Sequence, residues 1–307
     1  ESHCALVVDD LLRATKVTER AARGFFARLA ELAGDRPALI NSICSTHLVE
    51  CCAAQGIPTV SLIHEYPHVF DDEWMRTHLS LAEGVVFPCR DVRDRFADEN
   101  LLPDRQDTVS ILPQGCYLQE MPAPDEAETA DFVSSFRAEN FLNDGDQLVV
   151  ACGTIDSRKG FDWFAALMRE YASTSPRAAT THFLWVGRVG DQPVFDHALY
   201  DLRQLGVIGH FHHLVDVEDV RAALDQADVY LLCSRIDPFP SVVLEAFASG
   251  VPVIGFDKGQ GCRELIAESG FGTVVPYQDF DETIAAIDEH LDPDTEKTRA
   301  AKTGGAQ

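Results

Sequence analysis

The chain has 307 residues, and 25 basic against 50 acidic residues give it a formal net charge of −25. That length is enough for two hydrophobic cores, and the excess of acid argues against a nucleic-acid-binding surface. Nine scattered cysteines without a CxxC pair favour reduced thiols in a cytoplasmic protein over a disulfide framework or a zinc site. No apolar run approaches the roughly 20 residues that span a bilayer.

Short apolar segments alternate with helical patterns along most of the chain. Continuous apolar character indicates strands buried on both faces, and the helices between them indicate parallel sheets with βαβ crossovers. The predicted strands form two series: 5–9, 38–43, 59–64, 84–87 and 108–112, then 147–152, 182–187, 210–215, 229–233, 252–256 and 273–276.

A segment rich in Pro, Ala and acidic residues, 118–132, separates the two series and is typical of a linker. The sequence therefore predicts an α/β protein with two Rossmann-like doubly wound domains that face a cleft. Ligands of such folds bind at the carboxyl ends of the strands, so the cleft is the expected site. The predicted divisions are an N-terminal acceptor-side domain at 1–122, a linker and entry helix at 123–144, a C-terminal domain at 145–291 and a tail at 292–307.

After the strand at 147–152 the chain runs through Gly153 and a polar turn to Arg158 and Lys159, where a helix begins. A glycine turn at a helix start offers free N–H groups and a positive dipole end to an anion. Two adjacent cations there favour a phosphate or diphosphate site, although a solvated turn with two surface charges fits the spacing equally well. The GxxxxGK[ST] and GxGxxG signatures are absent, which argues against P-loop nucleoside triphosphatases and dinucleotide dehydrogenases.

The segment SRIDPFPSVVLEAFASG, 234–250, combines a loop, Pro240 and a predicted helix at 241–249. The first amides of that helix, at 241–243, are expected to be unpaired. Its apolar composition predicts a buried helix, so the Glu245 carboxylate needs a hydrogen-bond partner. A ribose diol, an internal arginine or a backbone amide would each serve.

Asp237 and Glu245 form an Asp-x7-Glu pattern that, with the following AFASGVPVI, resembles the Glu-x7-Glu element of retaining GT-B glycosyltransferases of family 4, group 1. The segments GTIDSRKGFDWF, FLWVG, ADVYLLCSRIDPFP and GTVVP fall in that family's order over about residues 145–276. QGIPTVSLIHEYP, VVFPCRDVRDRF and ILPQG are similar to it more loosely. Several ordered motifs are more specific than any one alone.

The resemblance implies a role for each matching residue. Lys159 and Arg158 would neutralise the diphosphate of a nucleotide-sugar, Glu245 would hold the ribose hydroxyls, and Asp237 would face the donor sugar. His64, at a strand end, falls where the family has a histidine that reaches across the cleft to the sugar. The implied catalytic residues are Asp237, His64, Lys159 and Arg158, and the implied donor-binding residues are Gly153, Thr154, Arg158, Lys159, Phe239, Ser241, Val242 and Glu245, with the amides of Ser241 and Val242 on the phosphates.

The implied activity is metal-independent, cofactor-free transfer of a sugar, a hexosyl group by expectation, with retention of configuration. The donor would be a nucleotide-diphosphate-sugar and the acceptor a saccharide, a lipid-linked molecule or a small molecule, with no nucleic acid involved. Cations and helix-end dipoles would stabilise the charge that grows on the leaving diphosphate. The DxD patterns at 144–146, 279–281 and 292–294 are expected by chance in so acidic a chain and are not interpreted as metal sites.

Several departures from the family pattern leave alternatives open. Thr154 stands where the family most often has an arginine, and Asp237 is one methylene shorter than glutamate. The family's N-terminal glycine-rich loop and its last helix have no counterpart, so we expect a chain truncated at both termini. The alternatives are a catalytically weak or inactive homologue that serves as a nucleotide-sugar-binding partner subunit, and a nucleotide-sugar epimerase or a phosphorylase on the same fold.

The segment 13–28 is locally basic, with Lys16, Arg20 and Arg23 on one helical stripe beside an apolar stripe. Such a helix can dock peripherally on the anionic inner face of a membrane. A Rossmann helix packed on its sheet, with a solvated cationic face, is the favoured interpretation. The expected location is the cytoplasm, with peripheral membrane contact as the alternative.

Overall fold

The computed structural model describes residues 36–67, 70–115, 142–215 and 220–293, together with positions 27, 28, 31, 34, 136, 138 and 139. The chain divides into two compact units, Glu1–Pro113 and Gln114–Gln307. Several predicted features lie outside the described residues. These are the strand at 5–9, nearly all of the basic segment 13–28, the linker 118–132 with the boundary after residue 122, and the tail from 294 onward.

The described part of the N-terminal unit is a parallel α/β sheet of four strands in the order β1-β2-β3-β4. One helix connects each strand to the next, so all four strands run in the same direction and their carboxyl ends lie at the same end of the sheet. The four strands predicted at 38–43, 59–64, 84–87 and 108–112 are confirmed. The elements are β1 Ala38–Asn41, α1 Thr46–Ala54, β2 Thr59–Leu62, α2 Asp72–Leu81, β3 Gly84–Phe87, α3 Arg90–Asp98 and β4 Val109–Ile111.

The C-terminal unit contains a six-stranded parallel sheet in the order β10-β9-β8-β5-β6-β7. All six strands of the second predicted series are confirmed. The elements are β5 Gln147–Cys152, α4 Phe161–Thr174, β6 Thr181–Val186, α5 Gln192–Gln204, β7 Phe211–Leu214, α6 Arg221–Leu224, β8 Val229–Leu231, α7 Ser241–Ala248, β9 Val253–Phe256, α8 Arg263–Ser269, β10 Gly272–Val275 and α9 Phe280–Leu291.

The strand order of this sheet reverses between β5 and β8. From β5 the chain proceeds outward to β6 and β7, and from β8 it proceeds outward in the other direction to β9 and β10. At such a switch point the two crossover helices leave on opposite faces of the sheet and open a crevice beyond the carboxyl ends of the strands. A ligand is therefore expected to bind at the loops that follow β5 and β8, at the carboxyl end of the sheet.

The sheet of the C-terminal unit separates two hydrophobic cores, and β6 shows how one strand serves both. Every residue of β6 is buried, and alternate side chains point to opposite faces. Phe183 and Trp185 enter the core that contains Phe161 and Phe164, whereas Leu184 and Val186 enter the other. Trp185 meets Phe161 and Phe164 edge-to-face, with ring centroids 5.0 and 5.2 Å apart. The continuous apolar runs of the sequence are explained by this double burial.

The longest of the described helices, α4, has 14 residues. None of the helices in the described ranges is both long and apolar enough to cross a membrane.

Candidate functional site

Two loops of the C-terminal unit meet at the switch point. The loop after β5, residues 153–160, carries the predicted cations, and the loop after β8, residues 232–240, carries Asp237. The amide of Arg235 donates to the carbonyl of Arg158 at 2.8 Å. Gly160, with φ +78°, lies so near the second loop that a Cβ atom there would be 2.1 Å from the carbonyl oxygen of Cys233. Close packing of the two loops therefore requires glycine at position 160.

Lys159 and Asp237 form an ion pair across the two loops. The ammonium Nζ donates to Asp237 Oδ2 at 2.6 Å, and the two side chains are only 18% and 10% exposed. Ser234 Oγ donates to the same oxygen at 3.0 Å, while Asp237 Oδ1 accepts no hydrogen bond within the described ranges. Two residues to which the resemblance assigned separate roles are thus bonded to each other.

Gly153 makes room for the lysine side chain at the end of β5. Its φ is +138°, and a Cβ atom there would lie 3.1 Å from both Cγ and Cδ of Lys159. The carbonyl of Gly153 is fixed by Trp185, whose Nε1 donates to it at 2.8 Å. Glycine at this position therefore lets the apolar stem of Lys159 cross the strand end and carry its ammonium to Asp237.

The backbone of Asp237 is held by a third loop that sequence reasoning missed. The amide of Asp237 donates to the carbonyl of Gly259 at 2.8 Å, and the amide of Gly261 donates to the carbonyl of Asp237 at 3.0 Å. Between those glycines, the fully buried Gln260 donates to the carbonyls of Leu232 and Ser234 at 2.7 and 2.9 Å. The available signal was a glutamine flanked by two glycines shortly after the strand at 252–256.

The side chains of Arg158 and Arg235 are used differently from that of Lys159. Arg158 is exposed, and its Nη1 donates to the carbonyl of Ile236 at 3.2 Å. Arg235, which the motifs did not single out, forms a bidentate pair with Asp162 at 2.7 and 2.8 Å. The two loops therefore carry three cations, Arg158, Lys159 and Arg235, in an otherwise acidic chain. Each of them hydrogen-bonds to the opposite loop or to the start of α4.

Helix α7 begins at Ser241, directly after Pro240. The amides of Ser241 and Val242 have no acceptor among the residues that the structure describes, as predicted from the helix start. The same expectation for Val243 is wrong, because its amide donates to the carbonyl of Pro240 at 3.2 Å. Two free amides and the positive end of the helix dipole remain for an anion.

The prediction that α7 is a buried helix is confirmed for one part of it only. Its buried residues are Val242, Val243 and Ala246, whereas Ser241 is exposed and Glu245 is half-buried. The helix packs on the sheet by one face only, because an apolar composition does not decide which residues meet a neighbour. The desolvation cost of the Glu245 carboxylate is correspondingly smaller than the sequence suggested.

The charges of the site converge on Cys152, the last residue of β5. The pKa of this thiol is raised to about 11, mainly by burial. The hydrogen bond with Tyr230 and the charge of Lys159 oppose this rise, and the charges of Glu245 and Asp237 add to it. Because all three charges act on Cys152, the carboxylates of Asp237 and Glu245 and the ammonium of Lys159 lie near the end of β5. The thiol itself is neutral at pH 7 and is not a nucleophile.

The remaining predicted donor-site residues of this unit, Thr154 and Phe239, belong to the two loops and pack against neighbouring parts of the unit. Thr154 is half-buried, and its methyl group lies over Gly190, where a Cβ atom would be 2.5 Å from Thr154 Cγ2. Phe239 is half-buried and packs against the core that contains Val242 and Val243. Both residues therefore help to shape the two loops.

His64 belongs to the N-terminal unit, unlike the other predicted site residues. It follows β2, its Nε2 lies 2.5 Å from Asn41 Oδ1, and its amide donates to Glu65 Oε2 at 3.0 Å. Burial lowers the pKa of His64, and the Glu65 charge opposes this effect only in part. Glu65 was missed by the sequence analysis, yet it also accepts from Ser42 Oγ and from the amide of Ile43.

Aspartates of two DxD patterns, 144–146 and 279–281, accept hydrogen bonds from residues close to them in the sequence. Asp146 Oδ2 accepts from the backbone amide and the side-chain amide of Asn143 at 2.7 and 3.1 Å. Asp279 caps α9 by accepting from the amide of Glu282 at 3.0 Å. In the described ranges, no group of three or more His, Cys, Asp or Glu residues is arranged to hold a metal ion.

Known proteins match both the sequence and the fold. Residues 146–292 match the family model described as glycosyl transferases group 1. The lipopolysaccharide core biosynthesis glycosyltransferase LpsE of Rhizobium meliloti (strain 1021) is 26% identical over 157 residues, which are 51% of this chain and 43% of LpsE. The chain spans about two fifths of the length of the curated relatives it matches.

Solved structures extend the likeness to both units. Anabaena HepE in complex with UDP gives a TM-score of 0.73 at 17% identity, covering 92% of this chain and 76% of HepE. Sucrose-phosphate synthase from Thermosynechococcus elongatus gives 0.69 at 18% identity, covering 95% and 74%. At these identities the likeness is one of fold. Residues 146–292 are therefore similar to the glycosyl transferases group 1 family, and the fold class of the chain is that of the GT-B glycosyltransferases, with two Rossmann-like units.

Proposed function

We propose that the chain is a retaining glycosyltransferase that moves a hexosyl group from a UDP-sugar to a saccharide, lipid-linked or small-molecule acceptor. The observation that carries the proposal is the Lys159 ammonium at the switch point of the sheet, bonded to Asp237 on the loop that leads into α7, whose first amides, of Ser241 and Val242, have no acceptor among the described residues. The choice of uridine is supported by HepE, which was solved with UDP and with UDP-glucose.

The proposed chemistry follows from the charges on the two loops at the carboxyl end of the sheet. When the bond between the sugar and the diphosphate breaks, negative charge grows on the leaving phosphate. The Lys159 ammonium has three donors, of which Asp237 uses one, so two remain for phosphate oxygens. Because the ammonium is mostly withdrawn from water, its interaction with a phosphate is stronger than at an exposed surface.

Asp237 can serve the lysine and the sugar with different oxygens. Oδ2 accepts from Lys159 and Ser234, and Oδ1 is left to accept a hydrogen bond from a hydroxyl of the donor sugar. The shorter side chain, compared with glutamate, is compensated by the loop at 259–261, which fixes the Asp237 backbone. Glu245, half-buried along α7, would bind the ribose hydroxyls.

Metal independence is part of the same proposal. Lys159, Arg158 and the two α7 amides supply the positive charge and the donors that a divalent cation supplies in other sugar transferases. Transfer activity should therefore be unchanged by EDTA after exhaustive dialysis. Activity that disappears with EDTA and returns with Mg²⁺ or Mn²⁺ would contradict this part of the proposal.

Thermal-shift measurements with UDP, GDP, ADP and UDP-glucose test the donor site. UDP at 100 times its Kd should stabilise the wild type by about 2.7 kcal/mol, and Lys159→Ala should lose this effect. The control, Arg169→Ala, removes a cation on the outer surface of the same unit and should keep it. Stabilisation by GDP or ADP alone would make uridine the wrong base, and no stabilisation by any nucleotide would refute the donor site.

Turnover requires a separate measurement, since Thr154 stands where the family most often has an arginine. Release of UDP from UDP-glucose, with and without candidate acceptors, would support the transferase, and the anomeric configuration of the product tests retention. Tight binding of UDP-glucose with no hydrolysis or transfer would instead favour the alternative of a nucleotide-sugar-binding partner subunit.

A further inference from the structure

The Arg235 side chain links the two loops of the candidate site. Its Nη1 and Nη2 donate to Oδ1 and Oδ2 of Asp162 at 2.7 and 2.8 Å, and Nη1 also donates to the carbonyl of Ser157 at 2.5 Å. Arg235 belongs to the loop after β8, and Asp162 belongs to the first turn of α4. One guanidinium therefore contacts the β5–α4 turn at two points.

Those two points flank the proposed phosphate ligands. Ser157 precedes Arg158 and Lys159 in the sequence, and Asp162 follows them. Two further hydrogen bonds join the same loops: the Arg235 amide donates to the Arg158 carbonyl at 2.8 Å, and the Arg158 side chain donates through Nη1 to the Ile236 carbonyl at 3.2 Å. The turn that carries Lys159 is thus fixed relative to the loop that carries Asp237.

The pair is poorly placed to serve stability alone. The side chains of Arg235 and Asp162 are 28% and 45% exposed, and exposed ion pairs contribute little to the free energy of unfolding. The adjacent strands β5 and β8 are already joined by their own hydrogen bonds. The loops beyond those strands have no such ladder, so a bidentate pair affects their geometry more than it affects the fold.

The pair of Arg235 and Asp162 also determines which cation of the two loops has free donors for an anionic ligand. Burial would raise the pKa of Asp162, but its hydrogen bonds and charge interaction with Arg235 outweigh this effect, and the pKa is lowered. The carboxylate is therefore ionised at neutral pH and neutralises Arg235. Lys159 keeps free donors, and the carboxylate of Asp162 sits favourably at the positive end of α4.

We propose that Arg235 and Asp162 are positioning residues that hold the Arg158–Lys159 turn in register with Asp237, so that the anion site is formed before the ligand arrives. The inference rests on the proposed function, because the anion is taken to be the diphosphate of the donor. Preorganisation of this kind matters because small displacements of a ligating group cost far more in function than in stability.

Titration calorimetry with UDP tests the inference on Asp162→Asn, Arg235→Gln, the double variant, and Arg235→Lys. Each of the first two should weaken UDP binding about tenfold, and the double variant should bind no more weakly than Arg235→Gln, because that single variant already lacks the pair with Asp162. Arg235→Lys keeps the positive charge but cannot form the bidentate pair, so its UDP affinity should lie between that of these variants and that of the wild type. Melting temperatures should stay close to that of the wild type.

The matched control is Arg169→Gln, which breaks another inter-element pair of the same unit. Arg169 and Asp201 are 2.8 Å apart with side chains 37% and 52% exposed, so the loss to stability is comparable. UDP affinity should not change in this variant. Wild-type affinity in Asp162→Asn and Arg235→Gln, or additive losses in the double variant, would overturn the inference.

Hydrogen exchange on the ligand-free protein provides a readout that does not need a nucleotide. Asp162→Asn and Arg235→Gln should each speed exchange in both loops, 153–162 and 232–240, whereas Arg169→Gln should not. If wild-type protein fails to bind UDP, the proposed donor fails, and coupled exchange of the two loops still supports the positioning role. Unchanged exchange in both loops would refute that role whatever the nucleotide result.

Discussion

The ammonium of Lys159 lies 2.6 Å from Oδ2 of Asp237, in a setting where both side chains are nearly withdrawn from solvent. The lysine comes from the loop after β5 and the aspartate from the loop after β8. Because they are bonded, the cation proposed for the diphosphate and the carboxylate proposed for the sugar cannot be altered independently. A mutation of either one changes the electrostatics of the other.

Asp237→Asn should separate the two roles of the aspartate. It removes the counter-charge of Lys159, so UDP affinity should be unchanged or higher. UDP-glucose also loses the charged acceptor at its sugar, and the ratio of UDP-glucose to UDP affinity should fall by about tenfold, as expected for a hydrogen bond to a charged group. Both affinities can be measured by calorimetry.

The control for this prediction is Asp201→Asn, which removes a carboxylate from the exposed Arg169 pair. It should leave both affinities unchanged. Equal losses of UDP and UDP-glucose affinity in Asp237→Asn would show that the aspartate acts on the lysine alone and does not contact the sugar.

Gly160→Ala should destabilise the protein through the contact between the two loops. An alanine there would place Cβ 2.1 Å from the Cys233 carbonyl oxygen, in addition to the strain of φ +78°. Gly206→Ala is a matched control, since Gly206 has φ +73° and no atom within 4 Å of the added Cβ. The control should cost about 1–2 kcal/mol from the backbone alone, and Gly160→Ala should cost clearly more in urea unfolding. Equal losses would mean that the loops separate at little cost.

The strands could be predicted from the sequence because the C-terminal sheet is buried on both faces. In β6, for example, Phe183 and Trp185 enter one core while Leu184 and Val186 enter the other, so the apolar run is continuous. The positions of Lys159 and Asp237 were also predictable, since each follows such a run within a motif. The extent of burial of α7 was not, because composition does not specify which face packs.

The contacts that complete the site depend on the sheet rather than on local sequence. Lys159 and Asp237 are 78 residues apart and meet only because β5 and β8 pair in parallel, with Val149 opposite Val229. Arg235 reaches Asp162 for the same reason. Gln260 was missed because its role depends on the end of β9 lying beside β8, which no motif encodes.

His64→Ala should lower the transfer rate and leave UDP affinity unchanged. The family resemblance assigns His64 to the donor sugar, and UDP has no sugar beyond its ribose. The side chain is neutral at pH 7, because burial lowers its pKa. We expect a loss of about 100-fold in kcat for transfer from UDP-glucose, the lower end of the range for one polar contact in the transition state. A parallel loss of UDP affinity would indicate that His64 supports the fold instead.

The stability of the N-terminal unit should decrease in mild acid because of His78. Its ring is fully buried between Thr46 Oγ1 and Ser61 Oγ, and burial lowers its pKa from 6.5 to about 4. Between pH 6.5 and pH 4 the unfolded chain therefore binds a proton that the folded chain does not, so stability is full above pH 6.5 and is lost as the pH falls. The full shift corresponds to roughly 3 kcal/mol.

Urea unfolding of the wild type, His78→Gln and His197→Gln at pH 7 and pH 5 tests this assignment. His78→Gln should be less stable at pH 7, because it loses packing and hydrogen bonds, yet its stability should fall less between the two pH values. His197 is exposed on α5, so its variant should keep the wild-type pH dependence. An unchanged pH dependence in His78→Gln would assign the acid sensitivity to another buried group, of which His212, whose pKa burial also lowers to about 4, is the first to examine.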